Sequence, residues 1–397
     1  MSQAAMRAED FTGADERARS LARFRRLGLA DFRSYAQAEI ALDGRSAVFV
    51  GPNGAGKTNL IEAISLFGPG RGLRGARLEE LPRRGGGGGW AASAEFEVSG
   101  DRRLLGVGVD ADSPSRRMCR IDRASSSGPG AFSDILRLNW LTPAQDRLFV
   151  EAAGERRRFI DRMTAARDPA HAGAANDYER AMRQRQSLLE AGSYDEAWLG
   201  ALEAQMAEAG TAIAAGRRET AHALAAAEIA EGAFPAADIS LEGDLEAALE
   251  TGPAADVEEE FAARLGAGRR ADAEAGRALI GPHRSDILVA HREKDTPARL
   301  CSTGEQKALL VGLVLAHARA LALSREFAGA AAPLILLLDE IAAHFDSARR
   351  AALFEILDGL GFQVLMTGTD RTLFSAWGAR AQGFSVEGGR IREIDLG

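Results

Sequence analysis

Lysine is nearly absent from this 397-residue sequence: Lys57, Lys294 and Lys307 are the only ones, and the remaining cations are arginine. With so few lysines there is no Asn/Thr-Lys-x-Asp segment, which excludes the guanine-reading element of a GTPase. Cysteine is scarcer still. Cys119 and Cys301 stand far apart with no CxxC or Cys/His grouping, so neither a disulfide framework nor a zinc site is indicated, and a reducing, cytoplasmic setting is expected. The first twenty residues lack an apolar core and carry Glu9, Asp10, Asp15 and Glu16, which argues against a presequence and suggests a loose extension over 1–20. No apolar run promises a membrane span: Leu309 to Leu323 is interrupted by His317 and Arg319, and Ala328 to Leu338 is too short. Nor is there an excess of positive charge. The formal net charge is -8, so contact with nucleic acid would need a local basic patch.

What is present, at 46% hydrophobic and 27% charged residues, is an ordinary globular composition with room for two domains. Strand-like segments open the chain from Leu21 to Val50, and alternating segments return after the glycine run at Arg83 to Trp90 as a flanking antiparallel set. From about Glu151 to Gly276 the texture turns to Ala, Glu and Arg, which predicts a helical insertion. Within it Leu199, Leu202, Met206, Ala209 and Ile213 recur at spacings of three and four. They call for a partner helix over Asp177 to Leu189 facing them with Tyr178, Met182, Arg185 and Leu189, as a short antiparallel arm. Beyond it come a strand (ILVAHR), a helix over 304–323, the apolar strand APLILLLDE, a helix over 347–360, the strand FQVLMTG and a closing hairpin about Glu387-Gly388-Gly389. The expected division is a head over 21–150 and 277–397, with 151–276 inserted.

GPNGAGKT, Gly51 to Thr58, follows a strand and precedes a helix, the context that makes G-x-x-x-x-G-K-[ST] a phosphate-binding loop. Gly51, Pro52, Asn53, Gly54, Ala55 and Gly56 would turn backbone N–H groups toward phosphate, Lys57 would reach the β/γ oxygens of ATP and Thr58 would ligate Mg2+. In LILLLDE, Asp339 and Glu340 end a buried strand, where open α/β sheets bind ligands. Asp339 is then a metal ligand and Glu340 the catalytic base.

LCSTGEQKAL, 300 to 309, admits two readings. Ser302 followed by Glu305 ahead of an apolar run is a capping box and starts a helix. Ser302, Gly304 and Gln306 in that spacing also look like the signature loop with which one ABC-type subunit grips ATP held by another. The two are compatible, since a capped helix start aims its free N–H groups outward.

Together GPNGAGKTNLIEAI, STGEQK and LILLLDE resemble an ABC-type ATPase head of the SMC kind. ADFRSY (30–35), GRGLR (70–74), LTPAQDRLFVEAAGERRRFID (141–161), GPHRSD (281–286), LLLDEIAAHFD and FSVEGGRI narrow the resemblance to the RecF family of bacterial DNA replication and repair proteins, nearly end to end from Leu21. The resemblance implies an α/β ABC-type ATPase head, a mixed sheet with P-loop and flanking antiparallel strands, carrying an inserted helical subdomain. It implies a homodimer formed on ATP that binds gapped DNA at duplex/single-strand junctions and, with RecR and RecO, helps load RecA. It also gives Asp346 the D-loop position and Gln145 that of a magnesium-sensing glutamine. Two departures stand out. Cys301 replaces the usual leucine before the signature, and MTGTD has no histidine at the switch position near Gly368, so slow turnover with ATP as a clamp is expected.

Arg71, Arg74, Arg77, Arg83, Arg84 and Arg156 to Arg158 are candidate DNA phosphate contacts, with backbone and shape recognised in place of bases. The competing reading is an ATPase head of a transporter or other protein machine without DNA.

Overall fold

In strand β12 (Leu334–Leu338) every residue of LILLL is buried, as is every residue of β13 (Gln363–Gly368) beside it. Such runs suit a parallel sheet covered on both faces. In the computed structural model, which describes residues 23–98, 100–192, 195–227, 233–324 and 333–397, that sheet is six-stranded, in the order β15-β14-β3-β13-β12-β8. The expected extension over 1–20 lies outside the described residues, as do Ser193 of the arm's break and the start of the run leading into β12. Strands β14 (Ala381–Glu387), β3 (Ser46–Val50), β13, β12 and β8 (Arg137–Leu141) are mutually parallel, and β15 (Arg390–Ile394) returns antiparallel as the expected hairpin. All five parallel strands therefore deliver their C-terminal ends to one side of the sheet.

The flanking strands form a second sheet, antiparallel, in the order β2-β1-β4-β5-β6-β7: β1 (Arg23–Phe32), β2 (Tyr35–Ala41), β4 (Trp90–Val98), β5 (Asp101–Val109), β6 (Met118–Ile121) and β7 (Ala124–Ser125). Helix α1 (Lys57–Ser65) follows β3, and its expected apolar face, Leu60, Ile61, Ile64 and on to Phe67, enters one core with Phe24, Phe32, Phe96 and Leu105 of the antiparallel sheet and Leu337 and Leu365 of the parallel one. Helix α9 (Ser347–Leu360) lies between β12 and β13 in sequence and starts at the N-cap Asp346, whose carboxylate accepts from Arg349 N at 2.8 Å.

The chain divides into two compact units. One takes the described residues of Met1–Asp146, Glu231–Phe234 and Ala318–Gly397, the other those of Arg147–Ala230 and Pro235–His317. In this division 277–317, with GPHRSD and the signature, falls with the helices, whereas the sequence places the return to the head at 277. The helical texture also hid strands. The second unit holds α2 (Ala153–Arg167), α3 (Ala170–Glu190), α4 (Glu196–Ala226), α5 (Asp244–Thr251), α6 (Ala254–Ala267) and α7 (Arg269–Ala275), but also a three-stranded sheet, β11-β10-β9, of Thr296–Pro297, Asp286–His291 and Ala237–Glu242. β9 shows alternate burial and follows Pro235.

The antiparallel arm is present as α3 against α4: Tyr178, Arg185 and Leu189 are buried, facing Leu202, Met206, Ala209 and Ile213, whereas Met182 is half-buried. Every nitrogen of the arginine in that seam is hydrogen-bonded. Its Nε donates to Glu203 at 2.9 Å, Nη1 to Asp272 at 2.6 Å and Nη2 to the Leu265 carbonyl at 2.6 Å, as burying a charge requires. Helix α8 (Thr303–Leu323) is the one described helix long and apolar enough to cross a membrane by length and composition. Two thirds of its most apolar 18-residue window is buried within the protein, which is how a core helix passes the same test.

Candidate nucleotide and signature sites

The P-loop is shaped by close approach. Gly51 sits at φ 159, and a Cβ there would lie 2.2 Å from the Val386 carbonyl oxygen. Gly56, at φ 108, is the left-handed residue immediately before α1, and its carbonyl accepts from the Tyr35 hydroxyl at 3.0 Å. Only glycine fits both positions. Lys57 opens the helix buried, with Nζ donating to the carbonyls of Gly51 (2.8 Å) and Pro52 (3.0 Å) and standing 3.8 Å from Glu340 Oε1.

Thr58 and Asp339, 281 residues apart in sequence, meet: the Thr58 hydroxyl lies 3.0 Å and 3.1 Å from the two oxygens of the Asp339 carboxylate. Strand order explains the encounter, since β3 and β12 sit on either side of β13 and point the same way. Asp339 is 5% exposed, whereas the Glu340 side chain is one-third exposed. Glu340 takes φ 56, a left-handed conformation that costs a non-glycine residue about 1 kcal/mol and turns its side chain off the strand axis. Oxygen-only donors of this kind, one carboxylate and one hydroxyl, suit a hard cation that keeps waters and shares phosphate oxygens, and among the described residues no group of three His, Cys, Asp or Glu could instead cage a metal. The residues fit Mg2+.

Gln145 lies at the end of β8's loop with its side-chain oxygen accepting from Thr142 N at 3.1 Å, in a capping box of its own. To act on a metal it would have to leave that bond. A side chain at Gly368 itself is barred, because a Cβ there would lie 2.4 Å from the ring of fully buried Phe374.

In the second unit the stretch from Ser302 forms the capping box that its sequence announces. Ser302 N and Oγ both lie 2.8 Å from Glu305 Oε2, Glu305 N is 3.4 Å from Ser302 Oγ, and Gln306 Nε2 donates to the Cys301 carbonyl at 2.9 Å. Lys294 closes an ion pair on the other Glu305 oxygen. With it, the two Ser302 hydrogen bonds hold the Glu305 carboxyl down at about 2. Ser302 and Gly304 are exposed, and Cys301 is half-buried over the Pro297 carbonyl.

The arginines singled out for DNA are largely engaged elsewhere. Arg74 pairs with Glu62, which also takes a bidentate Arg33, and Arg83 pairs with Asp31. RRRFID and GPHRSD turn out to hold each other. Arg156 grips Asp286 through Nε and Nη2, both at 2.7 Å, and Arg157 donates to the Ser285 carbonyl at 2.6 Å. Arg217 forks onto Asp161 at 2.7 Å and 2.9 Å and reaches the Pro282 carbonyl at 2.7 Å. Burial pushes the Asp161 carboxyl up, but hydrogen bonds from His171 and Arg217 outweigh it and hold it low. His283 of the same motif accepts from or donates to the Tyr178 hydroxyl at 2.8 Å, and desolvation lowers its pKa. Arg158 pairs locally with Glu155. Neither Arg217 nor Glu246, which accepts from Ser285 Oγ at 2.8 Å, carried any local sequence signal.

The family model for the RecF/RecN/SMC N-terminal domain matches residues 23–391. The chain belongs to the RecF family. DNA replication and repair protein RecF of Rhizobium leguminosarum bv. trifolii is 50% identical over 372 residues, covering 93% of this chain and 98% of that protein. The RecF of Mesorhizobium japonicum is 52% identical over 370, covering 92% and 96%. Among solved structures, a RecF-ATP form of the recombination mediator of the RecFOR pathway superposes with TM-score 0.80 at 19% identity over 94% of this chain and 98% of that one. The SMC head domain of Pyrococcus furiosus superposes at 0.51 and 18%, over 95% and 97%. The ABC-type head fold of the RecF and SMC kind is confirmed, and the alternative of a transporter head falls.

Proposed function

We propose that this member of the RecF family is an ATP-gated, DNA-binding clamp of replication and recombinational repair. The observation that carries the reading is the meeting of Thr58 with Asp339 beside Lys57 and Glu340 at the C-terminal ends of parallel strands. Gly51 to Gly56 would cradle the phosphates of ATP, Lys57 would leave the loop carbonyls for the β/γ oxygens, and Thr58, Asp339 and, once released from Thr142, Gln145 would hold Mg2+, which would supply charge neutralisation on the phosphate chain. Glu340 orients and deprotonates the attacking water, slowly, with ATP acting as a switch.

Ser302, Gly304 and Gln306 belong to the other half of a composite site, in which the capped start of α8 offers its N–H groups to ATP held by a second copy, and Asp346 takes the D-loop position. The work is cytoplasmic, and the partners are gapped DNA and the RecR, RecO and RecA proteins. DNA contact narrows to Arg71, Arg77 and Arg84, exposed and without an ion pair among the described residues. Backbone contacts of this kind make binding steeply salt-dependent. Sedimentation with and without ATP tests the reading. Wild type should dimerise only with ATP, and Ser302→Arg should bind ATP yet remain monomeric. A Ser302→Arg protein that still dimerises would return the stretch to a plain helix start.

A further inference from the structure

Thr367 has no place in the P-loop, the acidic strand end or the signature, yet it is the most enclosed polar group at the nucleotide site. It is fully buried on β13, the strand between the P-loop strand and the acidic strand, pairing with Phe49 on one side while Met366 pairs with Leu338 on the other. Its hydroxyl donates to Asp339 Oδ1 at 2.6 Å and accepts from Glu340 N at 3.0 Å. A hydroxyl has a single proton to give, and here an ionised carboxylate takes it while a backbone N–H fills a lone pair, so the group has one orientation. The β-branched side chain is stiff as well.

The two hydroxyls on Asp339 differ. Thr58 approaches both carboxylate oxygens at 3.0 Å and 3.1 Å, a shared and longer contact that is free to be exchanged for a cation. Thr367 makes the short charge-assisted bond to one oxygen alone and is locked from behind by Glu340 N. That same bond pins the left-handed Glu340 backbone.

We propose that Thr367 is a positioning residue of the nucleotide site, whose hydroxyl fixes the rotation of the Asp339 carboxylate and the turn that presents Glu340. It thereby sets both the affinity for the divalent cation and competence for hydrolysis. The proposal rests on the reading of this site as one for Mg2+ and ATP. Outer partners of metal ligands typically contribute 10–100-fold in affinity or activity.

The test compares Thr367→Val, which keeps the shape and removes the hydroxyl, with Thr367→Ser, which keeps the hydroxyl. ATP binding is titrated with Mg2+ in each full-length protein, and kcat and KM are measured at saturating Mg2+. The Val protein should need about tenfold more Mg2+ and lose about tenfold in kcat, with KM within about twofold, and the Ser protein should stay within about threefold of wild type throughout. Melting curves show whether the Val protein folds. If it does not, Thr367→Ala also lacks the hydroxyl without forcing a methyl against Asp339, and carries the same expectation. A folded Val or Ala protein with wild-type Mg2+ dependence, or a Ser protein as impaired as the Val one, overturns the role of Thr367. Wild-type ATP binding indifferent to Mg2+ overturns instead the reading of the site on which it rests.

Discussion

Two regions of this molecule are built from the same kinds of residue and use them oppositely. At the nucleotide site Lys57, Glu340 and Thr58 make contacts that can be exchanged: an ammonium over loop carbonyls, an ion pair at 3.8 Å, a hydroxyl shared between two oxygens. In the second unit Arg156 and Arg217 are closed onto Asp286 and Asp161 by paired short bonds, and their Nη1 groups reach further to the Glu151 carbonyl and to the Pro282 carbonyl and Glu246 respectively. Both regions come from distinctive motifs. The comparison teaches that a motif specific to a family identifies a constraint, and that geometry decides whether the constraint is chemical or architectural. RRRFID and GPHRSD, which pointed toward DNA from sequence, form the frame of the unit that carries the signature.

The largest expected effect comes from breaking the frame. Arg217→Met leaves Asp161 and nearly buried Glu246 without their cation, and removing one partner of a buried pair costs roughly 3–5 kcal/mol. Urea unfolding measures it. A loss under about 1 kcal/mol would mean that the clasp is ornamental and that the contrast with the nucleotide site is false. On the chemical side, Glu340→Gln keeps the size and the 3.8 Å approach to Lys57, so ATP affinity should hold while hydrolysis falls about a hundredfold or more. Unchanged turnover would remove Glu340 from the reaction.

A smaller effect separates buried from exposed ionisable groups on one helix. His317 is fully buried in α8 with Nε2 at 2.9 Å from the Met163 carbonyl, and desolvation pulls its pKa down to about 4 from 6.5. The folded form therefore binds the proton less readily than the unfolded chain. The stability tied to the neutral ring is complete above pH 6.5 and is lost as pH falls toward 4, amounting to about 2 kcal/mol at pH 5. His317→Gln should lack this part of the acid limb in unfolding curves at pH 7 and 5. An identical slope in both proteins would contradict it.

How far the sequence reached follows the same divide. GPNGAGKT and LILLLDE were legible because their chemistry is local: a loop between a strand and a helix, and two acids ending an apolar run. The capping box of Ser302 and Glu305 was legible for the same reason, being three residues wide. Arg156 and Asp286 are 130 residues apart, and nothing in either segment names the other. Strand β9 was lost because its alternating ADISLE is six residues inside a long Ala- and Glu-rich context. Thr367 was lost because a threonine in a buried strand looks like filler until Asp339 is seen beside it. The signature near 302 and the P-loop lie in different compact units, a division that no composition shift marks in the sequence.

The smallest effect is the sharpest discrimination within one triplet. Arg156 and Arg157 face inward onto Asp286 and Ser285, whereas the Arg158 side chain is 69% exposed and pairs with Glu155 one turn away. Exposed pairs of this spacing contribute at most about 0.5 kcal/mol, so Arg158→Ala should leave the urea midpoint almost unchanged. Its DNA affinity should be equally unaffected, while Arg84→Ala, in an exposed arginine without a carboxylate partner among the described residues, weakens binding and lowers the salt slope by about one ion. If Arg158→Ala instead carries the larger loss, the family motif does face DNA through its third arginine, and the second unit combines frame and contact in a single turn of α2.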